Sequence, residues 1–86
     1  EVEAVLLAHS SVAEAAVFGV PDAEWGQTVA AAIALRGPLN VEELRVFCRA
    51  RLAGFKVPRR LVVLEALPRN AAGKILRREL RAAFST

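Results

Sequence analysis

Apolar residues recur at helical spacing where the chain begins: Val2, Val5 and Leu6 share one side of residues 1–9, which predicts a short amphipathic helix. Ser10-Ser11 breaks it. Residues 12–20 (VAEAAVFGV) are apolar and partly β-branched, and read as a strand. Pro21-Asp22 opens a turn, with Trp25-Gly26 in the loop that follows. Residues 28–36 (TVAAAIALR) predict a second strand. Only Thr28, Val29 and Ile33 are true strand formers there, and the alanines would also suit a helix.

Gly37-Pro38 interrupts again. Asn40 is a good helix N-cap, and Glu43, three residues on, completes a capping box with Asn in place of the usual Ser or Thr. Val41, Leu44, Phe47, Cys48 and Leu52 then form an apolar stripe, and Gly54 suits the C′ position. Pro58 biases Val57 toward extended backbone. Residues 61–67 (LVVLEAL) read as a buried strand, residues 68–73 as a loop and residues 75–84 as a basic helix. Strands and helices interspersed with short links predict an α+β fold, a small sheet packed with short helices.

Composition narrows the possibilities. The 86 residues, 55% hydrophobic and 24% charged, suit one compact domain without low-complexity runs. A chain of this size buries roughly 60–65% of its unfolded surface. That is too little to enclose a cofactor and a substrate together, so in an enzyme it would supply one wall of the site. No apolar run is long enough to span a bilayer, and no signal peptide is evident. The single cysteine, Cys48, excludes an internal disulfide and reads as core; a reducing, cytoplasmic setting fits. The opening Glu1-Val2-Glu3 lies inside a helix and lacks a methionine, which suggests a piece of something larger.

Charge is unevenly spread. Residues 1–53 carry four basic and seven acidic side chains, net −3, and residues 54–86 carry eight basic and two acidic, net +6. A basic half points to an anionic partner, whether nucleotide, coenzyme phosphate, nucleic acid or membrane, or to a solvated arginine-rich surface. Nucleic acid is disfavoured, since the basic half lacks interleaved stacking aromatics. His9 reads as a helix-end residue, and Arg77, Arg78 and Arg81 as surface charge on the last helix.

The stretch PRNAAGKILRREL (residues 68–80) holds the candidate chemistry. It places Lys74 after a proline-bounded loop and just before a helix, and such loops on rigid scaffolds are where catalytic groups tend to lie. Gly73 permits positive φ or close approach to a ligand. A lysine ammonium can bridge phosphate and carboxylate oxygens. Only Lys56 and Lys74 are lysines, against ten arginines. The spacing GxxxxGK[ST] of a phosphate loop is missing. From the residues alone, a catalytic lysine and an ordinary surface lysine both remain open.

PRNAAGKILRREL resembles the C-terminal signature of the adenylate-forming superfamily of acyl- and aryl-CoA synthetases, luciferases and peptide-synthetase adenylation domains. EVEAVLLAHSSVAEAAVFGVPDAEWGQ resembles that family's opening segment, and FCRARLAGFKVPRR the helix and basic loop before its last strand. Together the motifs cover nearly the whole chain. ILRREL after Lys74 is more similar to CoA ligases than to peptide-synthetase domains, which usually carry aspartate two residues after the lysine. Ser10, Gln27 and Phe55 stand where proline, glutamate and tyrosine are common, and none of these departures removes a catalytic charge.

The resemblance implies a mobile C-terminal domain, residues 1–86, working against a large N-terminal domain of the same enzyme. It implies ATP with Mg2+ and CoA as the reactants of the full-length enzyme, and no metal held by this chain. A carboxylic acid is converted to acyl-AMP, the small domain rotates, and the CoA thiol takes the acyl group. Lys74 is implied as the catalytic lysine of the first step, on a nucleotide loop with Arg69, Asn70 and Gly73. Trp25 and Gly26 are implied beside the pantetheine channel, and Phe55, Lys56, Arg59 and Arg60 at the CoA nucleotide. Each of these is equally readable as a loop anchor or solvated charge. The loop also resembles the PxxxxGK pattern acted on by lysine acetyltransferases, at Lys74. A domain loading a carrier protein, a regulatory domain and a basic nucleic-acid-binding module are the alternatives.

Overall fold

The computed structural model describes residues 1–24 and 26–84. Helix α1 (Val2–Ala8) leads into strand β1 (Val12–Asp22), which pairs antiparallel with β2 (Gly26–Leu35), Phe18 lying opposite Ala30 and Asp22 opposite Gly26. Helix α2 (Val41–Arg49) and a single 3-10 turn (Gly54–Lys56) carry the chain back, so that β3 (Arg60–Leu64) runs parallel to β2. The sheet order is β1-β2-β3, and helix α3 (Arg77–Ala83) follows. This is the expected α+β architecture.

Strand β2 is central and covered on both faces. Against one face pack Leu6 of α1 and Leu44 and Cys48 of α2, around Val12, Ala31 and Ile33. Against the other pack Leu67 and Leu80, around Phe18, Ala30 and Ala32. Ala30, Ala31 and Ala32 are fully buried. Their helix propensity is overridden because both flanking segments are strands; a doubly covered strand reads as one continuous apolar run. Small side chains let the helical layers approach closely from both sides.

Several elements differ from the sequence expectation. β1 continues through Pro21-Asp22, which were expected to turn; Pro21 is tolerated because β1 is an edge strand. Asn40 does cap α2, but its Oδ1 accepts from the Glu42 N–H (2.7 Å), not from Glu43 as a capping box requires. Gly54 is not the C′ residue. The helix ends on Ala50 in right-handed conformation, the Leu52 N–H returns to Cys48 O, and Gly54 starts the 3-10 turn. The expected buried strand over residues 61–67 is a shorter edge strand with Val63 43% exposed, while Leu67 is buried beyond its end. The last helix starts at Arg77 because Ile75 is taken up in an antiparallel bridge to Arg69.

Two-sided coverage makes the alanine run intolerant of volume. Ala31→Leu should destabilise the domain by about 1–3 kcal/mol through overpacking, read as a lower urea midpoint. An unchanged midpoint would mean that the α1–α2 face is loosely packed.

Candidate functional site

Lys74 is carried on a small hairpin. The Arg69–Ile75 bridge closes it, with the Leu76 N–H donating to Pro68 O (2.9 Å) and the Asn70 N–H to Lys74 O (3.0 Å). At the tip the Asn70 Oδ1 accepts from the Ala72 and Lys74 N–H groups, 3.0 Å each, an Asx turn that organises the loop from within. Gly73 has φ +84°, the left-handed region expected of it. Lys74 itself is exposed, and its ammonium makes no hydrogen bond or ion pair among the described residues.

Two acidic residues on the body hold this hairpin. The Arg69 Nη2 and Nε donate to Glu14 Oε2 at 2.6 and 3.1 Å, while its Nη1 donates to Gly73 O at 2.7 Å. Three residues past Lys74, the Arg77 Nη2 donates to Glu3 Oε2 (2.5 Å), and that oxygen also accepts from the Val17 N–H (3.0 Å). Burial pushes the Glu3 carboxyl up, but the hydrogen bonds from Arg77 and Val17 and the Arg77 charge outweigh it, holding the group below the ordinary 4.5. Arg77 is therefore a structural tie and not the surface charge expected. The Arg81 Nε likewise donates to Gly19 O (3.2 Å), so two of the helix's basic side chains turn onto the sheet.

The residues expected at CoA divide. A concavity of about 430 Å³ is lined by Phe55, Arg59, Gln27, Thr28, Val29, Gly19 and Gly54. Phe55 is 80% exposed, an aromatic face with little holding it to the domain. Gly26 begins β2 beside this groove with φ +78°. The Lys56 ammonium lies over the Phe55 ring, 5.8 Å from its centroid, and pairs with Glu1. Arg60 donates to Phe84 O (3.0 Å) and stacks over the Phe84 ring at 5.0 Å. Trp25 lies outside the described residues. Arg45, outside every quoted motif, and Arg49, inside FCRARLAGFKVPRR but given no role there, line an adjoining concavity with Arg59. Their common feature, i and i+4 on the polar side of α2, was available in the sequence.

The groove and the Lys74 hairpin sit toward opposite ends of β1. Five residues separate Glu14, which holds the hairpin, from Gly19, which lines the groove, about 17 Å along an extended strand. Among the described residues no group of three or more His, Cys, Asp or Glu side chains converges to hold a metal ion. No helix is long and apolar enough to cross a membrane. His9 is the helix-end residue expected: it caps α1, its Nδ1 accepts from the Ser11 N–H (3.1 Å), and its ring meets Phe47 edge-on. Cys48 is fully buried in the core, where burial pushes its thiol pKa up.

Residues 1–74 match the family model of the AMP-binding enzyme C-terminal domain. The chain belongs to this family. Among curated proteins, 2-succinylbenzoate–CoA ligase of Bacillus cereus (strain Q1) is 51% identical over 81 residues, covering 94% of this chain and 17% of the ligase. The solved o-succinylbenzoate CoA synthetase of Bacillus subtilis, in complex with the acyl-adenylate intermediate OSB-AMP, superposes with TM-score 0.88 at 47% identity, over 94% of this chain and 17% of that one. A Mycobacterium tuberculosis fatty acyl CoA synthetase gives TM-score 0.92 at 37% identity, over 99% and 17%. The amide bond synthetase McbA of Marinactinospora thermotolerans gives 0.91 at 38%, over 96% and 17%. This AMP-binding enzyme C-terminal domain thus spans about 17% of the length of the relatives it matches.

Because the folded Glu3 carboxyl titrates below its unfolded value, the Glu3–Arg77 tie contributes stability above 4.5 and loses it as pH falls through the folded value. Glu3→Gln should lower the urea midpoint at neutral pH, and the deficit should shrink in acid. An equal deficit at both pH values would mean that the carboxylate's charge is not what matters.

Proposed function

We propose that this chain is the mobile C-terminal domain of an AMP-forming acid–CoA ligase and that Lys74 is its catalytic lysine in the adenylation step. The observation that carries the reading is the Lys74 hairpin, rigid in its backbone and pinned at both ends, with an ammonium that finds no partner within the described residues. A cation so presented suits an anion supplied by another domain. In the reaction, the substrate carboxylate oxygen attacks the α-phosphorus of ATP and the bond to pyrophosphate breaks. Two anions must approach, and Lys74 placed between them stabilises the charge gathering at phosphorus. The chain offers no carboxylate cluster for the accompanying Mg2+ among the described residues.

The groove by Phe55, Arg59 and Gly26 suits the second step, in which the CoA thiol attacks the acyl carbonyl and AMP leaves. Arg59 would meet phosphate and Phe55 would offer a stacking face. Since hairpin and groove lie apart on one rigid strand, the domain would present them in turn, by reorienting against its larger partner. The curated relatives' names make an aromatic dicarboxylate such as 2-succinylbenzoate the first acid to test, and they favour CoA over a carrier-protein or amine acceptor. The exposed Lys74 would also be open to a lysine acetyltransferase; acetylation removes the charge and should block adenylation.

In the full-length enzyme, Lys74→Ala should slow adenylation by on the order of 10²–10³-fold. Thioester formation from supplied acyl-adenylate should be spared. Pyrophosphate release near the wild-type rate would overturn the assignment.

Residues 1–86 on their own should form no acyl-CoA from acid, ATP and CoA, since they hold one wall of a two-walled site; coupled pyrophosphate and thioester assays check this.

A further inference from the structure

The backbone of the Lys74 hairpin is set by its own bonds, but its direction relative to the sheet is not. Within residues 68–74, the side chain that hydrogen-bonds to strand β1 is Arg69. Its guanidinium works in two directions. The Nε and Nη2 hold Glu14 Oε2, at 3.1 and 2.6 Å, and the Nη1 holds the carbonyl of Gly73, at 2.7 Å, the residue before Lys74. A continuous chain therefore runs from a carboxylate on β1, through one planar cation, to the peptide unit that joins Gly73 to Lys74. Gly73 is the open corner of the hairpin: its N–H donates to Asn70 O at 2.9 Å, its φ is +84°, and nothing lies within 4 Å of where a Cβ would sit.

Glu14 is the one charged residue in an otherwise apolar run from Val12 to Val20. Its side chain is 24% exposed, more sheltered than that of Arg69 at 42%. It lies near the irregularity in pairing between Val12 and Glu14, where β1 departs from a regular ladder. A charge at that position is not needed by the core, and a pair this exposed adds little to overall stability. Its geometry is spent on direction instead. The Glu3–Arg77 tie on the far side of Lys74 fixes the start of α3 to α1 and β1, so the hairpin's two stems are both anchored, and Glu14 determines how its tip leans.

We propose that Glu14 is a positioning residue for Lys74: acting through Arg69, it orients the Gly73–Lys74 peptide so that the lysine points out of the domain at the angle adenylation requires. This rests on the reading of Lys74 as the adenylation lysine. Loss of Glu14 leaves Arg69 bonded to Gly73 O but no longer anchored to β1, and lets the hairpin tip swing while leaving the fold and the groove by Phe55 as they are. A displacement of about 1 Å at a reacting group costs up to roughly 100-fold in rate.

The test compares Glu14→Ala, Glu14→Gln and Lys74→Ala in the full-length enzyme, measuring both half-reactions and thermal unfolding. Glu14→Ala should lower the adenylation kcat by about 10- to 100-fold. The KM for ATP, the thioester step from supplied acyl-adenylate and the unfolding temperature should stay close to wild type. Glu14→Gln, whose amide oxygen can still accept from Arg69, should recover part of the loss. Equal falls in both half-reactions, a matching loss of stability, or unchanged adenylation would each overturn the proposal. Lys74→Ala separates the two levels. If it cripples adenylation while Glu14→Ala does not, the positioning role alone fails; if it leaves adenylation intact, the assignment of Lys74 fails and takes the positioning role with it.

Discussion

Everything in this domain is arranged around a strand that has no free side. β2 is flanked by a partner at each edge and covered by helical layers on both faces, so Ala30, Ala31 and Ala32 are out of contact with water. Hydrophobic burial is roughly proportional to area, and a residue as small as alanine contributes little by itself. What these alanines supply is proximity. They let α1 and α2 on one face, and α3 with the Leu67 segment on the other, come near enough for Leu6, Leu44, Phe18 and Leu80 to complete two cores. The position of both candidate sites follows from that closeness, because each is built on an end of the β1–β2 hairpin.

Much of the fold was legible because local preference and tertiary demand agree. The apolar stripe of α2, the Asn40 cap and the apolar, partly β-branched run of β1 each point to the element that forms. Disagreement arises where the deciding contact is remote. Pro21 reads as a turn until β1 is known to be an edge strand, and residues 61–67 read as buried until β3 is known to be the other edge. Ile75 falls at the start of the residues read as the last helix, and is withdrawn from it by a bridge to a residue six positions earlier.

The site was legible in its centre and not in its supports. Lys74 and Gly73 stand out in the sequence because one follows a loop rich in turn formers and the other is the glycine that the loop's left-handed corner needs. Glu3, Glu14 and Arg77 do not, since their meaning is pairwise: each carboxylate meets an arginine from 55 to 74 positions away. No local pattern announces such a partner. A lone charge inside an apolar strand, as at Glu14, is the nearest thing to a cue. The CoA set is tied for the same reason to residues no spacing rule relates to it: Lys56 pairs with Glu1, and Arg60 is held by Phe84.

The placement of hairpin and groove on one strand has a consequence for how such a domain can change. β1 behaves as a beam with a tool at either end. A substitution that bends or twists it to improve the reach of one tool must alter the bearing of the other. Drift in β1 is therefore penalised twice, whereas Arg45 and Arg49 on α2 and Arg60 on β3 border concavities at one end only and carry no such double duty.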